Sequence, residues 1–390
     1  MSTLLLGELV GKTLALAPEA SDLLFAPDRP IQAEVHGRLI PVYPEGFPEP
    51  LAAFHTELLG EWLMGESPRH ARDLAERGAC DLAFELSGRA RFRANVFRRR
   101  GSLTLVMRRL PTRIPSCGDL GLPASIREMA MAREGLVLVC GATGSGKTTT
   151  LAAMVDAINE TRPVHVLTLE DPVEFVHRPK LATISQRELG VDFPSFAEGL
   201  RSALRQAPKV ILVGEIRDRE TVEAALRACE TGHLVLGTIH APDCGQSVNR
   251  VLGMFETADE RFIRNRLASG LVGAVSQRLV PKIGGGRAAA FEIMLNTLRV
   301  RECVLHGETE DKTFYDIISS GAAFGMTSFD QSLCALFKNG QALEETVLAY
   351  ASDRAALSRD LAAAKHAKGR GAKSAPTLQL DLEYHPDDGA

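Results

Sequence analysis

The segment Gly141-Ala142-Thr143-Gly144-Ser145-Gly146-Lys147-Thr148 constrains the fold more than any other part of the chain, because it matches the phosphate-binding pattern G-x-x-x-x-G-K-[ST]. The apolar run Leu136–Cys140 before it predicts a buried strand, and the Ala- and Leu-rich stretch Thr149–Asn159 after it predicts a helix. Glycines let the backbone wrap a phosphate closely, and the new helix adds N–H donors and partial positive charge. The sequence therefore predicts a strand, loop and helix that bind a nucleoside triphosphate.

Each part of this loop has an expected task. The Lys147 ammonium would contact the β- and γ-phosphates, and the Thr148 hydroxyl would hold Mg²⁺. We therefore expect ATP and Mg²⁺ as ligands. The expected nucleotide-binding residues are Gly141, Ala142, Thr143, Gly144, Ser145, Gly146, Lys147, Thr148 and Thr149.

Length and composition predict a chain of two or three globular domains in the cytosol. The net charge of −4 over 390 residues gives no sign of nucleic-acid or membrane binding, and no apolar run approaches the ~18 residues that span a bilayer. The first residues lack the basic lead of a signal peptide. Seven scattered cysteines without a C-x-x-C pair predict reduced, buried thiols.

The order of predicted elements indicates an α+β domain followed by an α/β domain. A hairpin is expected over Ile31–Val42 around His36-Gly37, and a meander over Asp81–Arg109 with turns at Ser87-Gly88 and near Gly101. Alternating strands and helices then predict a mainly parallel sheet, with core strands at 136–140, 164–169, 210–213 and 234–239, before a helical region at 297–355. The expected boundaries are residues 1–110, a linker at 111–118, an ATPase domain at 119–363 and a largely disordered tail at 364–390.

Charged residues follow the predicted parallel strands, where open sheets bind ligands. Glu215 follows four apolar residues, as a Walker-B acid would, and we expect it to hold Mg²⁺ through water; the less favoured alternative is an acid at a helix N-terminus before Arg219. Either Asp171 or Glu174 could orient the water that attacks ATP, or the two could stabilise a loop beside Pro172. His240 ends the fourth strand and is the better candidate to sense the γ-phosphate.

His233 and a run of arginines allow functional and structural interpretations alike. His233 lies at the opposite end of the strand from His240, so it could be a functional group or a turn residue. In the run from Arg89 to Arg100, arginines alternate with Ala90, Phe92, Ala94 and Val96, which predicts one basic and one apolar face. The basic face could be solvated, or it could supply an arginine finger, even to a neighbouring subunit. Without exposed aromatic residues it does not predict nucleic-acid binding.

Several further segments resemble the type IV pilus retraction ATPases of the PilT/PilU family, over roughly residues 5–355. They are Thr168–His177 (TLEDPVEFVH), Gln186–Gly190 (QRELG), Leu212–Asp218 (LVGEIRD), Glu230–Leu234 (ETGHL), Gln277–Leu279 (QRL), Glu292–Met294 (EIM) and Gly325–Gln331 (GMTSFDQ). His240-Ala241, Arg205–Pro208 (RQAP) and the added tail are closer to the accessory, PilU-like branch.

The resemblance implies a PAS-like N-terminal domain and a RecA-like ATPase domain in a cytoplasmic homohexamer. Such a ring docks on a platform protein at the inner membrane, where ATP turnover retracts pili, in the PilU-like case beside a sister retraction ATPase. By the same resemblance, Glu174 is the catalytic carboxylate, Glu215 the Walker-B acid, and His233 and His240 the histidine-box pair. The basic residues expected near the nucleotide are Arg93, Arg98 and Arg108.

Two other functions and one role for the tail stay open at this point. An assembly or type II secretion ATPase is the nearest alternative enzyme, although such proteins commonly carry a four-cysteine zinc element that C-x-x-C pairs would reveal. A nucleotide-dependent scaffold with negligible turnover is the alternative outside enzymes. In the tail, alternating residues from Leu378 to Tyr384 could add a strand to a partner's sheet or be an inert extension.

Overall fold

A computed structural model describes residues 2–86 and 88–371 and shows two domains, each built on its own sheet. The N-terminal sheet has six antiparallel strands in the order β3-β2-β1-β6-β5-β4. The strands are β1 (Asp22–Phe25), β2 (Ile31–Val35), β3 (Arg38–Val42), β4 (Ala79–Leu86), β5 (Ala90–Arg99) and β6 (Ser102–Leu110). Helices α1 (Ser2–Leu16), α2 (Ala53–Met64) and α3 (Pro68–Arg77) complete the domain.

The sequence pattern explains the N-terminal sheet. His36 and Gly37, with φ of 52° and 77°, form the two-residue turn that joins β2 to β3, so the predicted hairpin is confirmed. The predicted meander is β4, β5 and β6, and the alternation of β5 is confirmed because Ala90, Phe92, Ala94 and Val96 are all buried. Those side chains enter a core with Leu6, Leu9, Phe25, Leu59, Leu105 and Met107.

The second sheet has seven strands in the order β13-β12-β7-β11-β10-β8-β9, and β13 is its single antiparallel member among the described strands. The strands are β7 (Gly135–Cys140), β8 (His165–Glu170), β9 (Thr183–Glu188), β10 (Val210–Val213), β11 (Leu234–Ile239), β12 (Leu271–Pro281) and β13 (Arg287–Leu295). All four predicted core strands are present. Every residue of β7, β10 and β11 is buried, as expected for central strands covered on both faces.

Helices cover both faces of this sheet. They are α4 (Ala124–Ala130), α5 (Lys147–Thr161), α6 (Phe196–Ala203), α7 (Arg219–Glu230), α8 (Cys244–Leu252) and α9 (Thr257–Gly270). Between Leu110 and Ala124 there is no helix or strand. All seven cysteines are buried and unpaired, as the sequence predicts. In the described part of the chain, no helix is long and apolar enough to cross a membrane.

The chain after β13 forms α10 (Leu298–His306), α11 (Phe314–Ser319), a 3₁₀ turn at Ala322–Phe324, α12 (Phe329–Lys338), α13 (Glu344–Ala349) and α14 (Arg354–Gly371). Helices α10 and α11 pack on α9 and α8, whereas α12, α13 and α14 pack against the β12–β13 hairpin. Val280 and Ala290 of the hairpin share a core with Phe329, Leu333, Val347, Leu357 and Leu361. The predicted helical region at 297–355 is thus confirmed.

The predicted start of the disordered tail is wrong by several residues. Helix α14 continues through 364 to Gly371, so the boundary drawn after residue 363 falls inside a helix. Alanines at 362–364 favour the helix, and Lys365 forms an ion pair with Glu344 of α13. Residues 372–390, including the alternating segment from Leu378 to Tyr384, lie outside the described residues.

Candidate functional site

The phosphate-binding loop leaves the carboxyl end of β7 and enters α5, as the sequence predicts. Gly141 has a φ of 141°, and a Cβ there would come within 2.6 Å of the main-chain oxygen of Gln277. Gly146 has a φ of 92°, and a Cβ there would lie 2.7 Å from the side-chain nitrogen of Gln277. Glycine is therefore required at both positions, because β12 packs directly against the loop.

Lys147 begins α5, and its side chain folds back over the loop. Its Nζ donates hydrogen bonds to the main-chain oxygens of Gly141 at 3.0 Å and Ala142 at 2.9 Å. Burial lowers the pKa of Lys147, and the nearby Glu215 charge opposes that shift. The ammonium is thus held at the centre of the loop, where a bound phosphate would receive its charge.

A pocket of about 560 Å³ lies beside the loop at the carboxyl edge of the sheet. Its walls come from the loop after β7 and from the ends of β8, β10 and β11, which places the pocket where open parallel sheets bind ligands. Eleven of the predicted site residues line it: Arg93, Thr143, Gly144, Gly146, Lys147, Thr148, Thr149, Asp171, Glu174, Glu215 and His240. Gly141, Ala142 and Ser145 instead line a smaller cavity of about 340 Å³ behind the loop, together with Thr143 and Gly144.

Glu215 follows β10 and is held by two neighbours. Arg217 donates from Nε to Oε1 and from Nη2 to Oε2, both at 2.6 Å, and His240 Nε2 lies 3.3 Å from Oε1. Burial alone would raise the pKa of Glu215, but the hydrogen bond and charge of Arg217, with His240 and Lys147, hold it below its usual value. Glu215 is therefore a carboxylate at neutral pH.

The acidic segment that follows β8 contains a buried carboxyl group that the sequence analysis did not select. Glu170 is 8% exposed and lines the pocket, and its Oε1 accepts from Thr168 Oγ1 at 2.6 Å and Gln186 Nε2 at 3.0 Å. Burial raises the pKa of Glu170, although both hydrogen bonds favour the charged form. Glu174, half-buried and four residues later, lines the same pocket.

The residues around Glu174 form a loop held against β9. Gln186 donates to the main-chain oxygen of Phe175 at 2.7 Å and accepts from the main-chain nitrogen of His177 at 2.8 Å. His177 is 7% exposed, and its Nδ1 has no partner among the described residues. Burial lowers the pKa of His177 to about 4, so its imidazole is neutral at physiological pH.

Of the three arginines predicted to contact nucleotide, the structure brings one to the pocket. Arg93 lines the pocket from β5, which shows that the N-terminal domain and the ATPase domain of one chain share this site. Arg108 instead pairs with Asp22 at 2.9 Å, and Arg98 is exposed near the β5–β6 turn. Arg98 and Arg108 do not line the pocket of their own chain, so their predicted contact with nucleotide stays a prediction that concerns a neighbouring subunit.

His233 is also separated from the pocket within one chain. It precedes β11, whereas the phosphate-binding loop follows β7, so the two lie at opposite ends of parallel strands. Its Nδ1 contacts the main-chain oxygen of Ala228 at 3.0 Å and the Thr231 hydroxyl at 3.1 Å. Within one chain His233 is a turn residue, one of the two interpretations that the sequence left open, and its predicted functional role stays a prediction.

Other pocket residues were missed because their signals are weak in isolation. The pocket residues Glu170, Phe175 and His177 lie in segments that resemble known motifs, as does Gln186, which binds their loop from β9, but no spacing rule assigns any of them a task. Arg217 lies two residues after Glu215 and could have been identified as its partner. Arg287 and Leu279 come from the β12–β13 hairpin, whose position against the loop the sequence alone does not reveal.

The donor set at this pocket fits Mg²⁺ bound mainly by water and phosphate. Thr148 offers a hydroxyl and Glu215 a carboxylate, and both line the pocket. Because Arg217 and His240 already engage both oxygens of Glu215, a metal contact through water suits that side chain better than direct ligation. Among the described residues, no group of three or more His, Cys, Asp or Glu side chains could hold a metal ion without other ligands.

Comparisons with known proteins agree with this architecture. Residues 81–320 match the model of the family described as Type II/IV secretion system protein. The chain is 42% identical to the type IV pilus retraction ATPase PilT of Pseudomonas aeruginosa over 274 residues, which are 70% of this chain and 78% of that protein. It is 36% identical to the type IV pilus ATPase PilU of the same organism over 332 residues, 85% of each chain.

A solved structure covers both domains. The pilus retraction motor PilT with bound ADP superposes with a TM-score of 0.81 and 37% identity, over 90% of this chain and 98% of that one. The Legionella pneumophila ATPase DotB gives a TM-score of 0.76 and 28% identity, over 89% and 95% of the two chains. The expected combination of a PAS-like and a RecA-like domain is therefore confirmed.

Proposed function

We infer the function of this chain from the family to which it belongs, the PilT/PilU pilus ATPases within the type II/IV secretion system proteins. We propose that it is an ATP-hydrolysing motor that retracts type IV pili and so drives twitching motility. Its likeness to PilU, together with its added tail, supports an accessory role beside a sister retraction ATPase.

One observation carries the enzymatic part of this proposal. A single pocket gathers the phosphate-binding Lys147 and Thr148, the carboxylates Glu174 and Glu215, and Arg93 of the other domain. Hydrolysis of a phosphoanhydride requires the same elements: donors and cations for the phosphates, a group that orients water, and positive charge that stabilises the transition state.

Each side chain then has a task that follows from its place. The loop N–H groups, Lys147 and the start of α5 bind the phosphates, because their partial and full positive charges converge there. Glu174 orients the attacking water and accepts its proton, and Asp171, exposed on the same loop, is the alternative for that role. Thr148 and Glu215 would hold Mg²⁺, Glu215 through water, and the ion would supply positive charge that offsets the charge of the phosphates.

Arg93 and His240 complete the proposed machinery. Arg93 approaches from the N-terminal domain, so closure of the two domains would bring its guanidinium to the phosphates. His240 contacts Glu215 and lines the pocket, so it could report the γ-phosphate to β11. Arg98, Arg108 and His233 face away from this pocket, and any role for them would lie toward a neighbouring subunit.

We propose a homohexamer as the working form, in the cytoplasm and peripheral at the inner membrane. There it would dock on the pilus platform protein, which converts domain closure into removal of pilin subunits. The likeness to PilT and PilU supports this assembly.

Steady-state ATP hydrolysis by the purified protein tests the enzymatic proposal, and the Lys147→Ala protein is the negative control. We expect magnesium-dependent turnover that the substitution abolishes, with an unchanged circular dichroism spectrum. If the wild-type protein binds ATP but hydrolyses it no faster than Lys147→Ala, the result would instead support a nucleotide-dependent scaffold.

The motor proposal is tested in cells that lack the gene. We expect pili that extend but retract slowly or weakly, with retraction restored by the wild-type gene and not by Lys147→Ala. Loss of surface pili altogether would instead indicate an assembly ATPase, and unchanged pili would overturn the retraction role.

A further inference from the structure

An arginine of the N-terminal domain binds the backbone of the loop that carries Glu174. Arg91 Nη2 donates to the main-chain oxygen of Val173 at 3.2 Å, and Nη1 donates to that of Glu174 at 3.4 Å. The Arg91 side chain is 16% exposed, and its Nε lies 3.9 Å from Glu85 on the adjacent strand β4. Arg91 therefore links the N-terminal sheet to the two peptide groups beside Glu174.

The opposite side of the same loop is fixed to the ATPase domain. Gln186 of β9 binds the backbone of Phe175 and His177, and Glu188 Oε2 accepts from the main-chain nitrogen of Val173 at 3.3 Å. The backbone around Glu174 is thus held between a strand of its own domain and Arg91 of the other. A shift of the N-terminal sheet would move Arg91 and its contacts with this loop, while the contacts from Gln186 and Glu188 would stay in place.

We propose that Arg91 is a positioning residue that makes the orientation of the Glu174 carboxylate depend on the position of the N-terminal sheet. The two carbonyl groups that it binds belong to the peptide planes on either side of the Glu174 Cα, so their orientation sets the direction of the Glu174 side chain. A catalytic carboxylate must stay within hydrogen-bond reach of its water, and a displacement of ~1 Å can cost ~100-fold in rate. This inference rests on the proposed role of Glu174.

Arg91 differs from its neighbour Arg93 in what it contacts. Both lie on the same face of β5, two residues apart, but Arg93 lines the nucleotide pocket whereas Arg91 binds the protein backbone. Loss of Arg91 should therefore lower kcat and leave nucleotide affinity nearly unchanged. Loss of a direct phosphate contact would instead change both.

Arg69 supplies a matched control for contacts between the domains. Its Nη1 donates to the main-chain oxygen of Leu189 at 3.2 Å, and its guanidinium lies against Gly190, where a Cβ would come within 2.4 Å of Cζ. Arg69 therefore makes the same kind of arginine-to-carbonyl contact from the N-terminal domain. It does so beyond β9, outside the loop that carries Glu174.

The first test measures kcat and KM for Arg91→Ala, Arg91→Lys and Arg69→Ala. We expect Arg91→Ala to lower kcat by about 10–100-fold with KM within about threefold of wild type. Arg91→Lys, which keeps the charge but has no fork to bind two carbonyls, should recover part of that loss. Arg69→Ala should change kcat by about threefold or less. A similar loss in Arg69→Ala and Arg91→Ala would overturn the proposal in favour of general domain docking.

The second test is a double-mutant cycle with Glu174→Gln. If Arg91 acts through Glu174, Arg91→Ala should cause no further loss of the residual rate in the Glu174→Gln protein. Multiplicative losses in the double variant would overturn the positioning role. A Glu174→Gln protein with wild-type turnover would instead overturn the catalytic assignment of Glu174, so the two failures are distinguishable.

Discussion

In the N-terminal sheet the charged side chains of the strands are exposed or partly exposed, whereas the ATPase domain buries carboxyl and imidazole groups in its interior. The buried groups are Glu170, His177, Glu292 and Asp330, which are between 3% and 8% exposed. Among the described residues of the N-terminal domain, no carboxylate or imidazole reaches this degree of burial. The same chain therefore uses charge in two different environments.

This difference follows from how each sheet is built. Every second residue of a strand lies on the same face and is displaced along it, so a basic stripe on β5 and β6 reaches several separate places. Parallel strands end at one edge, so residues far apart in sequence converge there and become enclosed by helices. An enclosed polar group depends on its hydrogen-bond partner, because burial of a polar group without a hydrogen bond costs free energy.

The largest expected effect concerns the carboxylates at the edge of the parallel sheet. Glu174→Gln should keep ATP binding and lower hydrolysis by about 10²–10⁴-fold, because the amide cannot accept the proton of the attacking water. The measurement is single-turnover hydrolysis beside equilibrium nucleotide binding. Asp171→Asn is the control and should lower the rate of hydrolysis less than Glu174→Gln. If Asp171→Asn is instead the variant that binds ATP without hydrolysing it, Asp171 orients the water.

A pH series tests the buried environment of His177. The pKa of His177 is about 4 in the folded chain and 6.5 in the unfolded chain. Between pH 4 and pH 6.5, the unfolded chain therefore binds a proton at His177 that the folded chain does not bind. Stability is therefore lost as pH falls from 6.5 towards 4, by about 3 kcal/mol at most from this group. Denaturant unfolding of wild type and His177→Asn at pH 7.0 and 4.5 measures the difference.

The control for this series comes from the other domain. His36 is exposed and sits in the β2–β3 turn with a positive φ, which asparagine tolerates. His36→Asn is the control substitution at an exposed site, and His177→Asn should flatten the pH dependence of stability relative to wild type. Equal slopes for wild type and His177→Asn would show that the imidazole at 177 is solvated, contrary to its burial.

The same contrast explains which parts of the site could be predicted from sequence. The strands before Gly141, Asp171, Glu215 and His240 were recognisable as buried runs, and parallel topology then required their ends to meet. Arg93 could not be separated from Arg98 and Arg108 by pattern, because only the packing of the two domains decides which arginine reaches the pocket. Glu170 was missed because sequence pattern does not reveal its burial or its hydrogen bond to Gln186, a partner 16 residues away.

Substitution of the three arginines separates the pocket from the rest of the basic face. Arg93→Ala should lower the rate of hydrolysis by about 10–100-fold, as expected for loss of a charged hydrogen bond worth roughly 1.5–3 kcal/mol. Arg98→Ala and Arg108→Ala should change it by about twofold or less if they act only in their own chain. The steady-state ATPase rate of each purified variant measures this.

Mixed rings decide whether any arginine acts across subunits. Because Arg93 shares a pocket with Lys147 of its own chain, mixing Arg93→Ala with Lys147→Ala subunits should recover no activity. Recovery in that mixture would show that Arg93 serves a neighbouring subunit. If Arg98→Ala or Arg108→Ala is inactive by itself and is rescued by Lys147→Ala subunits, that arginine acts in trans.

The smallest effect is expected for the ion pair between Arg108 and Asp22 of adjacent strands. The Arg108 side chain is 72% exposed and its Nε binds Asp22 Oδ1 at 2.9 Å, so water and salt weaken the attraction. Arg108→Ala and Asp22→Asn should each lower the free energy of unfolding by about 1 kcal/mol or less, and the double variant should cost little more than either. Denaturant unfolding at low and high salt measures the pair, which should weaken with salt. A loss of several kcal/mol, or one independent of salt, would show that the N-terminal sheet also depends on enclosed charge, and the contrast between the two domains would fail at this position.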